Sequence, residues 1–184
     1  MRRAIGLVVL AVLLLAETEG FGQRFTVGTN VVDILTLGTV NIEGGASVAR
    51  KVTVLAGGEL NPLSFSSDGS AFRARQMSLW GGARYWPWHA YSGWWTGGTL
   101  RWTVYNNGGF SDPSTEEGFA YGAGIYAGYS VMLTDRWNID IGAGGWGGWK
   151  TYTVYACPTC GRITGEGGKT FLLPDARVAV QYVF

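Results

Sequence analysis

Cys157 and Cys160 enclose Pro158 and Thr159, and a Cys-x-x-Cys pair supports three kinds of chemistry. It can shuttle electrons, supply half of a tetrahedral zinc site, or close a short disulfide. A zinc site needs two further ligands, and the sole histidine, His89, falls in a separate stretch predicted to be a turn on the opposite side. A thioredoxin-like centre needs a helix start within a βαβ unit, and neither flank offers one. In an exported chain the spacing favours a local disulfide. A metal clip shared between chains and a redox pair are the alternatives.

Other residue types with chemical potential have plainer readings. His89 could serve as the base of a Ser/His hydrolase or acyl transferase, but among Trp86, Trp88 and Trp94 it reads as an interfacial residue. Asp112, Glu116 and Glu117 could hold calcium, and also read as a solvated acidic loop. Gly122, Gly124 and Gly128 imitate a nucleotide fingerprint without the helix that must follow it, so they read as room for bulky neighbours. No catalytic residue, metal or cofactor is predicted.

The charges that matter sit inside alternating segments. Glu43, Glu59 and Asp140, with Arg84, Arg101 and Arg177, all fall on the small or polar face of a period-two pattern. The longest example joins GFAYGAGIYAGYSVML and WNIDIGAGGWGGW through Thr134, Asp135 and Arg136, which is a hairpin signal. Tyr121, Ala123, Ile125, Ala127, Tyr129 and Val131 share one face with Trp137, Ile139 and Ile141. Soluble strands seldom run far beyond about six residues, whereas a strand tilted across a bilayer needs about 9 to 11. The apolar face is therefore assigned to lipid and the charged face to the inside.

The remaining segments repeat the pattern. A weak first strand is expected over Phe25–Leu35, then strands over Thr39–Val48, Val52–Asn61 (ended by Pro62), Gln76–Trp86, Trp95–Tyr105 and Ala176–Phe184. That makes an all-β, antiparallel up-and-down transmembrane β-barrel of about eight strands. Turns at Ala49–Lys51, Pro87–Gly93 and Thr134–Arg136 are expected on the periplasmic side, with long external loops at 63–75, 106–117 and 154–173. The stretch WPWHAYSGWW is read as an interfacial turn. An eight-stranded barrel is just wide enough for side chains to fill it, so its six charges must pair in a plugged, non-conducting interior.

Composition agrees with this frame. Glycine occurs 30 times in 184 residues, about twice the usual share, and the net charge of +1 gives no reason to expect nucleic acid. Residues 1–22 read as a signal peptide: Arg2 and Arg3 precede an apolar run too short to span, followed by small residues. Residues 23–184 form the barrel, expected in the outer membrane of a Gram-negative bacterium. A soluble lipocalin-like carrier is the other all-β reading, and the inward charges argue against it.

TNVVD at Thr29–Asp33, LNP at Leu60–Pro62, ARYW at Ala83–Trp86, the long hairpin, CPTCG and the tail GKTFLLPDARVAVQYVF carry a resemblance. From about Val27 to Phe184 the chain resembles a Bacteroidetes-type outer-membrane β-barrel family of unknown function. The resemblance implies the fold and the location, and relatives near fimbrial components hint at a role in surface-fibre assembly. The alternating tail with Tyr182 and terminal Phe184 looks like the signal that barrel assembly machinery recognises. The expected role is structural or interactive through external loops that touch envelope or fimbrial proteins, with outer-membrane lipid as surroundings. A fibre-assembly accessory and a lipid-modifying enzyme are the alternatives.

Overall fold

The computed structural model describes residues 25–36, 38–67, 70–109, 113–157 and 161–184. Its strands are β1 (Phe25–Asn30), β2 (Val40–Ala49), β3 (Val52–Ser67), β4 (Ser70–Tyr85), β5 (Gly93–Gly108), β6 (Thr115–Met132), β7 (Trp137–Tyr155) and β8 (Ile163–Val183). One short helix, α1 (Val31–Leu35), joins β1 to β2. Each strand pairs antiparallel with the next, and β1 pairs with β8, so the sheet closes into a barrel. Among the described residues no helix is long and apolar enough to cross a membrane.

The register fixes the geometry. A row of partners starting at Gly28 passes through Glu43, Gly57, Trp80, Arg101, Gly122 and Gly148 and reaches Phe171 on β8. Gly28 itself pairs with Gln181, ten residues further along. For eight strands, that stagger gives a tilt of about 40°. The alternation predicted from sequence holds through the wall: Val40, Leu60, Leu79, Leu100, Ile125 and Ile141 are exposed, while Glu43, Glu59, Ser78, Arg84, Thr103 and Asp140 are buried.

Three expectations are corrected. The first strand does not reach Leu35. The Asn30 side chain accepts from Val32 N (3.3 Å) and so caps α1, and Thr36 N donates to Val32 O (2.8 Å). Asn30 N and O are held by the Asn41 amide at 2.7 and 2.8 Å, so side chains end the ladder where the β-branched run had suggested more strand. Gly38, at φ +66°, then turns the chain toward β2.

Nor are the segments 63–75, 106–117 and 154–173 long loops. β3 and β4 pair out to Ser67↔Ser70, β5 and β6 to Gly108↔Thr115, and β7 and β8 to Tyr155↔Ile163. Their Ser, Asn, Thr and Gly content resembles loop composition, yet a hairpin that rises beyond the apolar wall needs no apolar face. Pro62 likewise does not end its strand. Val54 O lies beside Gly45 on β2 and Leu55 O beside Gly81 on β4, so even-numbered residues of β3 turn away from β4. The missing N–H of Pro62 therefore costs β4 nothing.

The aromatic turn is the third correction. Trp88 and Trp94 are exposed, but Trp86, Tyr91 and Trp95 are buried and pack with Val183 across the closed end of the barrel. Tyr91, at φ 66°, is the non-glycine residue with positive φ that folds this turn inward. Trp86 Nε1 donates to Thr53 Oγ1 (3.0 Å) and Asn138 Nδ2 to Tyr91 O (2.8 Å), so the plug satisfies its buried polar groups. Burial pushes the Tyr91 phenol up to about 12.

The wall is not complete over its full height. β2 pairs with β3 only as far as Val40↔Leu60, and β1 pairs with β8 only as far as Asn30↔Ala179. Beyond these points β3 and β8 have a strand partner on one side only. Residues 30–36, 38 and 39 lie across the start of this opening. Asn30 Oδ1 accepts from Val178 N (3.0 Å) and Asn61 Nδ2 donates to Thr39 Oγ1 (3.1 Å). Replacing Asn30 with Ala is expected to cost about 1–2 kcal/mol by orphaning the amides of Val32 and Val178. The check is a lower temperature for conversion of the compact band on a semi-native gel.

Candidate functional site: the charged lumen

Glu43 on β2, Arg84 on β4, Asp140 on β7 and Arg177 on β8 project inward because each occupies an inward position of its strand. Arg84 bonds Glu43 Oε1 at 2.9 Å and Asp140 Oδ2 at 3.0 Å. Arg177 bonds the same two acids, Glu43 at 2.7 Å through Nη2 and Asp140 at 2.8 Å through Nε. Each carboxylate thus receives both guanidiniums. Two tryptophans complete the set: Trp80 Nε1 donates to Glu43 Oε2 (3.0 Å) and Trp95 Nε1 to Asp140 Oδ1 (2.5 Å). The Arg84 guanidinium also lies 4.4 Å from the centre of the Trp95 ring.

A second layer lies above this quartet. Arg101 bonds Glu59 at 2.7 Å and Asp175 at 3.5 Å, and Glu59 also accepts from Gln76 (2.6 Å) and Ser78 (2.7 Å). Tyr126 donates to Asp175 at 3.1 Å. Arg101 is flanked by the rings of Trp80 and Trp146, 5.4 and 5.1 Å away. Further up, Glu116 joins Lys150 (2.6 Å) and Tyr105 (2.8 Å). Between the first two layers a cavity of about 70 Å³ is bordered by Asn30, Asp33, Arg101, Tyr126, Asp175 and Arg177. That is space for about two water molecules.

Glycines make room for the large rings. A Cβ on Gly128 or Gly142 would lie 2.6 or 2.8 Å from Cζ2 of Trp95, and one on Gly124 would lie 2.6 Å from the Tyr126 ring. This is the service the sequence assigned to Gly122, Gly124 and Gly128; Gly122 does not perform it, since a Cβ there would meet the backbone of Gly147 and Gly148 and no ring. Bulky aromatics lie flat in the lumen over neighbouring positions of the same wall that carry hydrogen alone.

The structure brings together all six charges that the sequence placed inside. It adds Asp175, which the pattern would have reached had the last strand been extended two residues past Arg177 toward the N-terminus. It also adds Trp80 and Trp95, whose indole donors no alternation rule singles out. Tyr182 and Phe184 lie on the outer surface, where Tyr182 packs edge-on against Trp137 (5.1 Å) and Phe184 (4.9 Å). His89 forms a backbone bridge with Ser92 in the inward-folded turn. Cys157 follows β7 in a bend, whereas Cys160, Asp112 and the segment 1–22 lie outside the described residues.

The fold and this interior define the chain as an eight-stranded, up-and-down antiparallel β-barrel with a side-chain-filled, salt-bridged lumen. The particular family follows from residues 7–184, which match the family described as protein of unknown function (DUF3575), and the chain belongs to that family. No curated protein matches it.

Removing one member of the quartet leaves its partners buried without their counter-charge. Asp140→Ala is expected to destabilise the barrel by about 3–5 kcal/mol. Replacing Glu43, Arg84, Asp140 and Arg177 together with Leu and Met is expected to cost less than the sum of the four single changes. Denaturant titrations of the detergent-solubilised barrel, followed by tryptophan emission, measure both.

Proposed function

We propose that this protein is a small outer-membrane β-barrel with a non-conducting interior, acting through the part of its wall that stands above the membrane. The observation that carries the reading is the outer surface. Tyr85, Trp94, Tyr129, Trp137 and Phe184 ring the end that bears the inward-folded turn, and Trp102, Phe119, Tyr121 and Trp149 form a second band further up on β5, β6 and β7, all exposed. Exposed aliphatic residues such as Leu79, Leu100, Ile125 and Ile141 fill the belt between them. Trp137 and Trp149 are twelve residues apart on β7, which at this tilt is about 30 Å, the thickness of a bilayer core. Two aromatic girdles around an apolar band are the signature of a membrane barrel.

On this reading residues 1–22 direct export, Tyr182 and Phe184 present the tail to barrel assembly machinery, and Cys157 and Cys160 clip the β7–β8 connection as a disulfide. The filled lumen supports a role in which the barrel is an anchor and its upper hairpins contact other envelope or fimbrial proteins.

Two measurements on the detergent-extracted outer-membrane fraction test this. Unheated protein is expected to run faster than boiled protein, and the purified barrel is expected to show no conductance steps in a planar bilayer. Recovery in buffer without detergent, with no mobility shift, overturns the membrane reading. Regular conductance steps overturn the closed interior.

A further inference from the structure

We infer that the free edge of β8 above the membrane, residues 163–172, is a docking edge for an extended polypeptide segment of another envelope protein, which it takes up by strand addition. The inference rests on the membrane reading above and names the kind of partner the upper wall accepts.

The free edge is a consequence of the short first hairpin. β1 and β2 close the barrel at its lower end and stop at Asn30 and Val40, whereas β3 continues to Ser67 and β8 begins at Ile163. The ladder that joins β7 to β8 runs unbroken up to Val154↔Gly165 and, past a bulge at Thr164, to Tyr155↔Ile163, but among the described residues the opposite edge of β8 has a strand partner only from Ala179 downward. The opening uncovers residues meant for the inside: Leu173, which pairs with Trp146 on the inward face, is 49% exposed. Among the described residues nothing lies within 4 Å of where a side chain on Gly165 would begin.

Backbone direction identifies the groups on offer. Val178 N donates across the seam to Asn30, and Phe184 N donates to Phe25 O, so even-numbered residues of β8 face the opening. Phe171 O and Leu173 O lie against Gly147 and Gly145 on β7, so odd-numbered residues face the intact ladder. Glu166, Gly168, Thr170 and Leu172 therefore direct their N–H and C=O groups outward along the sheet. An evenly spaced row of alternating donors and acceptors is matched only by another extended backbone.

The distribution of prolines separates this edge from the stretch below it. Pro174 on β8 and Pro62 on β3 both occupy opening-facing positions, just where the wall enters the apolar band, and neither carries an N–H to leave unpaired in lipid. Two opening-facing positions below Pro174, Asn30 satisfies Val178 N. Above Pro174 no further proline blocks the described part of β8, although natural sheets guard exposed edges with such residues. Lys169 points inward and lies 5.3 Å from the Tyr152 ring, so its side chain does not cover the row of edge donors. A second copy of this chain does not fit the edge. Two barrels with the same membrane orientation, related by an axis along its normal, would cross their β8 strands at about 80°, twice the tilt.

The test uses amide exchange of the full barrel in detergent, read residue by residue by NMR. The probe is a synthetic peptide copying Trp149–Tyr155, the stretch of β7 that already pairs with β8 on its other edge. In the free barrel Glu166, Gly168 and Thr170 amides are expected to exchange fast and Gly167, Lys169 and Phe171 slowly. Saturating peptide is expected to slow the first set at least tenfold. Thr170→Pro removes an opening-facing N–H at a position that already carries a side chain, so it is expected to keep the heat-dependent gel shift and lose the peptide effect, while Lys169→Pro breaks the β7 ladder. A barrel that keeps its gel shift but shows no slowing with peptide overturns the docking edge. Fast-set amides already protected in a particle of doubled mass assign the edge to a second copy and overturn it too. Loss of the gel shift in the unmodified protein removes the membrane reading and the inference with it.

Discussion

Everything in this barrel depends on charges that have nowhere to go but to each other. A ring of eight strands leaves a lumen that side chains fill, and a charge placed there loses its water. The chain answers with two acids that each receive the same two guanidiniums, so that Glu43, Arg84, Asp140 and Arg177 form a closed set of bonds joining four strands. The glycines opposite Trp95 are part of the same answer, since the indole that donates to Asp140 fits only against a wall without side chains. Composition and electrostatics are one constraint expressed twice.

The lower and upper parts of the molecule obey different rules. Below, every strand has two neighbours, the Trp86 plug seals the end, and the charged side chains of the quartet find their partners within the lumen. Above Val40 the wall continues on six strands, and its inner face turns toward polar and aromatic groups such as Tyr105, Glu116, Lys150 and Tyr152. A hairpin in water has no need of an apolar face, which explains why these stretches look like loops in composition while behaving as strands.

That difference marks how far the sequence could be read. Alternation located the strands wherever one face had to be apolar, and it placed Glu43, Glu59, Arg84, Arg101, Asp140 and Arg177 inside, because period two is a property of the backbone itself. It failed where the contrast between faces vanished, beyond Pro62, Asn106 and Val154. It also misjudged Val31–Leu35, whose β-branched residues favour strand until two asparagine side chains take over the backbone bonds. Asp175 escaped for the same reason as the upper hairpins: its strand was ended too early. The aromatics of the turn from Trp86 to Trp94 split between lumen and surface, a division that composition alone does not encode.

The register also says something about the order in which the molecule can come together. Seven of its ladders join neighbours in the chain, but the eighth joins β1 to β8 through five residue pairs, with almost the whole sequence intervening. Arg177 arrives on that last strand, 134 residues after the Glu43 it neutralises. Until β8 is in place Glu43 and Asp140 share Arg84 alone, so the growing sheet carries an uncompensated negative charge on its concave side. Closing the circle and discharging the interior are therefore a single late event, in which the entropic cost of the longest loop is offset by the two ion pairs of Arg177.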